Sequence, residues 1–325
     1  MNYLRGTVLG LVQGLTEFLP VSSSAHLRVT AALAGWEDPG AAFTAVTQIG
    51  TEAAVLIYFR RDIARILRAW AASVVRRDAR ADPDARTGWL VLLGTIPIGV
   101  LGLTLQDAVE GPFRDLRLIA ATLITLGLIL GGADWYATRG RPVGRHAVPR
   151  PRKNLTDLSV RDGLIYGLAQ SAALIPGVSR SGATISGGLL LGYTRQAAAR
   201  YSFLLAMPAV LASGLFELRS IGGSGSAETE SGTTADPAVV PGQAGEAMAA
   251  GGGGGGGGAE VAWGPTLLAT AVAFVTGYAA IAWFLRYIST RSFAPFVVYR
   301  VGLGLLLLAL LAAGVVDADA GAEGD

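Results

Sequence analysis

The chain contains no cysteine. That excludes disulfide scaffolds, Cys-ligated zinc, Fe–S clusters and thiol nucleophiles. Histidine is scarce: only His26 and His146 are present, too few for a His-rich metal site. Lys153 is the sole lysine among 26 basic side chains, as in proteins from GC-rich genomes. Charge of either sign is thin, at 15% of the 325 residues. A soluble globular chain carries about 25%, which speaks against an ordinary cytoplasmic domain. Disorder fails on the apolar content of 51%. What is present in excess is glycine, 45 residues without a three-residue period, which rules out a collagen-like fibre. The mean hydropathy is +0.47. Together these numbers describe an all-α polytopic membrane protein.

Six segments are long and apolar enough to span a bilayer. They run over Ala41–Phe59, Thr87–Gln106, Arg117–Asp134, Tyr201–Phe216, Val261–Leu285 and Ser292–Val316. Two carry interior charges, Glu52 and Arg300, which must face protein or water. Two further apolar stretches are interrupted. Gly6–Trp36 contains Glu17, Pro20, a serine run, His26 and Arg28; Gly163–Thr194 contains Pro176, Gly177 and Arg180. Their pieces are too short to cross, so each stretch is expected to form a re-entrant helix–loop–helix hairpin, residues 6–36 and 163–194.

The two hairpins resemble each other. Gly10-Leu11-Val12-Gln13 matches Gly167-Leu168-Ala169-Gln170, and Pro20-Val21-Ser22-Ser23-Ser24-Ala25 resembles Pro176-Gly177-Val178-Ser179-Arg180-Ser181-Gly182 with one residue inserted. Each is followed by three spans. The expected architecture is therefore two inverted repeats, residues 1–138 and 158–316, joined by a basic loop, residues 139–157. The basic residues sort accordingly. Nineteen fall in the loops of one side, including 60–86 and 139–161, against five on the other. The arginine-rich side is expected to be cytoplasmic. Both termini then lie outside, with no cleaved signal peptide. The low-complexity segment 222–260, with eight consecutive glycines, reads as a flexible outside insert, and 317–325 as an acidic tail.

The chemistry concentrates in the two interruptions. Gln13-Gly14-Leu15-Thr16-Glu17-Phe18-Leu19-Pro20-Val21-Ser22-Ser23-Ser24-Ala25-His26 supplies a carboxylate, three hydroxyls and an imidazole. Pro176-Gly177-Val178-Ser179-Arg180-Ser181-Gly182-Ala183-Thr184 supplies a guanidinium and three hydroxyls at a break between helices. Guanidinium, hydroxyls and helix N-terminal N–H groups together suit a phosphate. Both stretches resemble the signature regions of the undecaprenyl-diphosphatase family, the bacitracin-resistance proteins. The resemblance extends to Phe293-Ala294-Pro295-Phe296-Val297-Val298-Tyr299-Arg300 and covers nearly the whole chain.

That resemblance implies hydrolysis of a C55-type polyprenyl diphosphate to the monophosphate, with lipid-carrier recycling, at the outer face of the plasma membrane. It implies dependence on a divalent cation, Mg²⁺ or Ca²⁺. The expected partners are the lipid substrate and membrane lipids, with a homodimer left open and no nucleic acid. Residue chemistry makes His26 the base for a serine nucleophile, and Glu17 either the group that orients His26 or a metal ligand. Resemblance favours Ser23 as nucleophile, with a phosphohistidine at His26 as the rival. Arg180, Ser179, Ser181, Thr184 and Ser22 are the expected phosphate-binding residues. The chain departs from the family at Gln13, where a glutamate is usual, at Ala25 and at Glu52. Glu52 either restores an acid or pairs with Arg300, and Gln13 lies near the expected metal position. Inverted repeats with broken helices also suit a lipid or anion transporter or flippase. The compact Glu/Ser/His set speaks for the enzyme.

Overall fold

The computed structural model describes residues 1–36, 40–105, 115–139, 152–224 and 262–316. Most of the basic loop, the insert from residue 225 and the tail fall outside them. Among the described residues the fold is helical, with one isolated bridge joining Lys153 to Tyr193. All six expected spans form helices: α3 (Gly40–Tyr58), α5 (Pro83–Thr104), α6 (Leu116–Thr138), α9 (Arg195–Ser224), α10 (Trp263–Ile288) and α11 (Ala294–Ala312). Among the described residues, four stretches are long and apolar enough to cross a membrane, and they coincide with α5, α6, α10 and α11. In α3 the polar Thr44, Thr47, Gln48, Thr51 and Glu52 are all buried, so its polarity faces protein.

One expectation is corrected. The charged segment 60–86 is not simply a loop: it begins with α4 (Arg60–Val75) and a 3₁₀ turn at Asp78–Ala81. Dense arginines disguise the amphipathic spacing. Arg61, Arg65 and Arg68 point to solvent while Ile66 and Ser73 are buried. Trp89 on α5 donates its Nε1–H to Ser73 Oγ at 3.0 Å, and Trp70 meets Trp89 edge-on. Asp82 caps α5 by accepting from the Asp84 N–H, with Pro83 in the first turn where no N–H is needed.

The interrupted stretches form two helix pairs, α1 (Tyr3–Thr16) with α2 (Ser23–Leu33), and α7 (Val160–Ser171) with α8 (Arg180–Leu190). Each is a few residues longer at its start than the sequence pattern indicates. The turns share a device. Ser22 and Ser179 both hold positive φ, 75° and 68°, and both side chains accept the N–H three residues on. A non-glycine residue held there costs on the order of 1–3 kcal/mol, sustained only when surroundings over-determine it.

Packing is reciprocal between the chain's halves. Helix α1 lies on α10 and α7 lies on α5, while α6 packs on α11 and on α8. The close approaches need glycine. A Cβ on Gly167 would sit 2.5 Å from the Gly94 carbonyl oxygen, and one on Gly10 would collide with Ala269. Small-residue contacts of this kind are how helices associate where lipid removes the hydrophobic drive. The main core cluster includes Phe18 and Val21 of the first turn with Phe59, Tyr166, Phe203 and Phe284.

Candidate active site between the two broken helices

Helix α1 ends at Glu17, and α2 begins at Ser23 behind its capping serine. The intervening turn folds Ser23 back onto the carboxylate: Ser23 Oγ donates to Glu17 Oε2 at 2.7 Å. Gln13, one helical turn earlier, donates its amide to the same oxygen at 2.9 Å. From the other helix pair, Arg180 Nη2 donates to Glu17 Oε1 at 2.6 Å. Glu17, Ser23 and Arg180 are each about 5% exposed, so the contacts sit in a low-dielectric environment. Residues 163 positions apart meet here, the link between two distant motifs.

The remaining predicted residues divide. Ser181 Oγ donates to the Leu19 carbonyl at 3.1 Å, tying α8 to the first turn. Ser179 and Ser22 act as helix caps, and each lies within about 3.2 Å of the hydroxyl two residues on, Ser181 and Ser24 respectively. Thr184 bonds back to the Arg180 carbonyl and to the Ser202 hydroxyl of α9, so its recorded bonds brace Arg180. The recorded bonds of His26 go elsewhere than to Ser23 or Glu17. Its Nδ1 lies 2.6 Å from the Ser22 carbonyl, which only accepts, so Nδ1 carries the proton. Its Nε2 accepts from the Tyr299 hydroxyl at 2.7 Å, with the two rings stacked. Glu17 thus contacts Ser23 and Arg180, and the structure brings no bond from Glu17 to His26.

Sequence reasoning assigned no role to Tyr299. The signal available was its place in the Phe293–Arg300 stretch beside an intramembrane arginine. Arg300 itself is fully buried and does not pair with Glu52, which corrects that alternative. Its guanidinium donates to the carbonyls of Pro20 at 3.1 Å, Gly177 at 2.9 Å and Val178 at 3.0 Å, while Nε reaches Leu123. One side chain thereby fixes both turns. Glu52 instead lies with Oε1 3.8 Å from Arg180 Nη2. Glu17, Glu52, Arg180, Ser181 and Ser202 line one small pocket, walled by Phe18, Val55, Phe203 and Ala206.

Among the described residues no three His, Asp or Glu side chains converge on a metal position. The donor set nevertheless fits a hard cation. Two buried oxygens beside the site, Gln13 Oε1 and Glu52 Oε2, have no hydrogen-bond partner among the described residues. Carboxylate and amide oxygens are what Mg²⁺ and Ca²⁺ take.

The family model described as Bacitracin resistance protein BacA matches residues 6–306. The chain belongs to that family. It is 77% identical over the whole of both chains to undecaprenyl-diphosphatase 3 of Frankia alni. It is 59% identical to undecaprenyl-diphosphatase 2 of Streptomyces coelicolor, again over both full lengths. It is 51% identical to the undecaprenyl-diphosphatase of Thermobifida fusca, over 99% of this chain and 95% of that one. The BacA match takes in every residue of the site, from Gln13 to Arg300.

Proposed function

We propose that this membrane-embedded chain hydrolyses an undecaprenyl-type polyprenyl diphosphate to the monophosphate and inorganic phosphate, recycling the lipid carrier. The observation that carries the reading is the buried Ser23–Glu17–Arg180 contact set. Ser23 Oγ is the nucleophile on the terminal phosphorus. Glu17, already accepting the Ser23 hydroxyl hydrogen, takes that proton as the Oγ–P bond forms. The bond from the terminal phosphorus to the bridging oxygen breaks, and the lipid monophosphate leaves with the electron pair. Water then attacks the phosphoserine, inorganic phosphate departs, and the proton returns from Glu17 to Ser23.

Arg180 offsets the charge spreading over the phosphoryl oxygens, as fixed cations do in phosphoryl transfer. Helices α2 and α8 both begin at the site, and their N-terminal dipoles add to that field. His26, held by Ser22 and Tyr299, positions the Ser22–Ser23 turn; this geometry favours Ser23 over a phosphohistidine. Ser22, Ser179, Ser181 and Thr184 hold the two turns in register for the phosphates. Glu17, with Gln13 near, would hold an Mg²⁺ or Ca²⁺, which would supply further charge neutralisation to the diphosphate.

In this reading the two helix pairs are re-entrant and related by inversion. Support comes from which ends meet. Lys153, just before α7, is bridged to Tyr193, just after α8, and Asp134 at the end of α6 accepts from Arg195 and the Phe293 N–H. Asp62 accepts from Arg200 at that same end. Arg5 near the start of α1 lies over Trp36 beyond α2, and Tyr3 lies beside Gly264 at the start of α10. The basic end is cytoplasmic by the arginine distribution, so the termini and the mouth of the site face outside.

The test is release of inorganic phosphate from a polyprenyl diphosphate in detergent, with and without EDTA. Arg180→Ala and Glu17→Gln are expected to lose at least about 100-fold in kcat, and EDTA to suppress the wild type. Full activity in both variants rejects the site. A transporter releases no phosphate at all.

A further inference from the structure

Glu52 is the one acidic side chain of the pocket that the sequence motifs do not account for. It sits in the interior of α3, 2% exposed, one turn past the buried Gln48. Its Oε1 lies 3.8 Å from Arg180, and its Oε2 accepts no hydrogen bond. On the opposite flank of Glu17, Gln13 Oε1 is buried and equally without a donor. The great majority of buried acceptors in folded proteins are satisfied. Two unsatisfied oxygens on residues that approach one carboxylate–guanidinium pair point to a missing positive partner.

Charge gives the same answer. Glu17 and Glu52 place two carboxylates against the guanidinium of Arg180 in one small pocket. A diphosphate entering there adds more negative charge where water is scarce. Buried charge without compensation is costly. The chain also bears an amide at Gln13, so α1 contributes one carboxylate rather than two.

We propose that Glu52 is a ligand of the site's divalent cation, a hard ion such as Ca²⁺ or Mg²⁺, through its unpartnered Oε2, with Glu17 as the second carboxylate. It supplies from α3 the negative charge that Gln13 does not supply from α1. The inference rests on the phosphatase reading of the same pocket.

The experiment titrates Ca²⁺ alone into the purified full-length chain in detergent by calorimetry, without lipid. Glu52→Gln is nearly isosteric and removes only the charge. It is expected to weaken Ca²⁺ binding at least about tenfold, since affinity follows ligand charge, and to shift the Mg²⁺ dependence of phosphate release to higher concentration. Gln13→Glu added to Glu52→Gln is expected to recover most of the lost affinity. Unchanged Ca²⁺ affinity in monodisperse Glu52→Gln overturns the proposal, whatever its activity. Should that variant fail to fold, Glu52→Asp keeps the charge one methylene shorter; there too weakened affinity supports the ligand role and wild-type affinity overturns it. Failure of the phosphatase reading is seen separately, as phosphate release that survives Ser23→Ala.

Discussion

At the scale of single residues the site is a short relay of contacts. Ser23 gives its hydrogen to Glu17, and Glu17 is held by Arg180. Those three were legible in the sequence, because a carboxylate, a serine run and an arginine interrupt otherwise apolar stretches, where such groups are expensive. What each one touches was not legible. The sequence suggests His26 as the partner of Ser23, being the nearest titratable base along the helix. The fold instead ties His26 to the Ser22 carbonyl and to Tyr299 on α11, a residue 273 positions away. No local pattern encodes that pairing. Tyr299→Phe removes the hydroxyl that holds Nε2 while keeping the stacked ring. It is expected to lower kcat by about tenfold with little change in KM, because the turn before Ser23 loosens while Arg180 is untouched. Steady-state phosphate release checks this.

At the scale of elements, the helix pairs depend on their capping serines. Ser22 and Ser179 combine positive φ with a side-chain cap, two demands of which glycine meets only the first and alanine neither. Glycine relieves the strain and forfeits the cap; alanine forfeits the cap and keeps the strain. Ser179→Gly is therefore expected to be more stable than Ser179→Ala by about 1 kcal/mol, read as the higher melting temperature in detergent. The serines were legible as motif residues, since both motifs carry them at the helix break. Their backbone angles were not, because nothing in a serine announces left-handed φ. Helix α4 was missed for a related reason. Its arginines read as a topology signal, and the apolar stripe between them is narrow.

At the scale of the molecule, one buried side chain joins the halves. Arg300 donates to carbonyls in the turn after α1 and in the turn before α8, and so sets the distance between Ser23 and Arg180. Arg300→Met keeps most of the apolar stem and strips those carbonyls of donors. Loss of several charged hydrogen bonds is expected to cost about 3 kcal/mol, seen as a lower melting temperature, and to reduce phosphate release further than stability alone explains. A variant that melts lower yet turns over normally shows that the turns hold their register without it. Six long helices, four of them apolar enough to cross a membrane, and both helix pairs were readable in outline, since long apolar stretches and their interruptions are local features of the chain. The reciprocal packing of α1 on α10 and α7 on α5 was only hinted at by glycines, because which helix a glycine stripe meets is a matter of global assembly.

The missing cysteines, sparse charge and apolar excess determined the membrane fold class, and two polar interruptions determined which side chains form the candidate site. Burying polar groups in lipid is costly enough that their placement is visible in one dimension. The tertiary structure alone decided that Glu17 faces Ser23 and Arg180, that Arg300 binds carbonyls, and that Glu52 joins the pocket. Those contacts span long separations along the chain. They depend on side-chain direction and helix register, which the order of residues constrains only through the whole packed molecule.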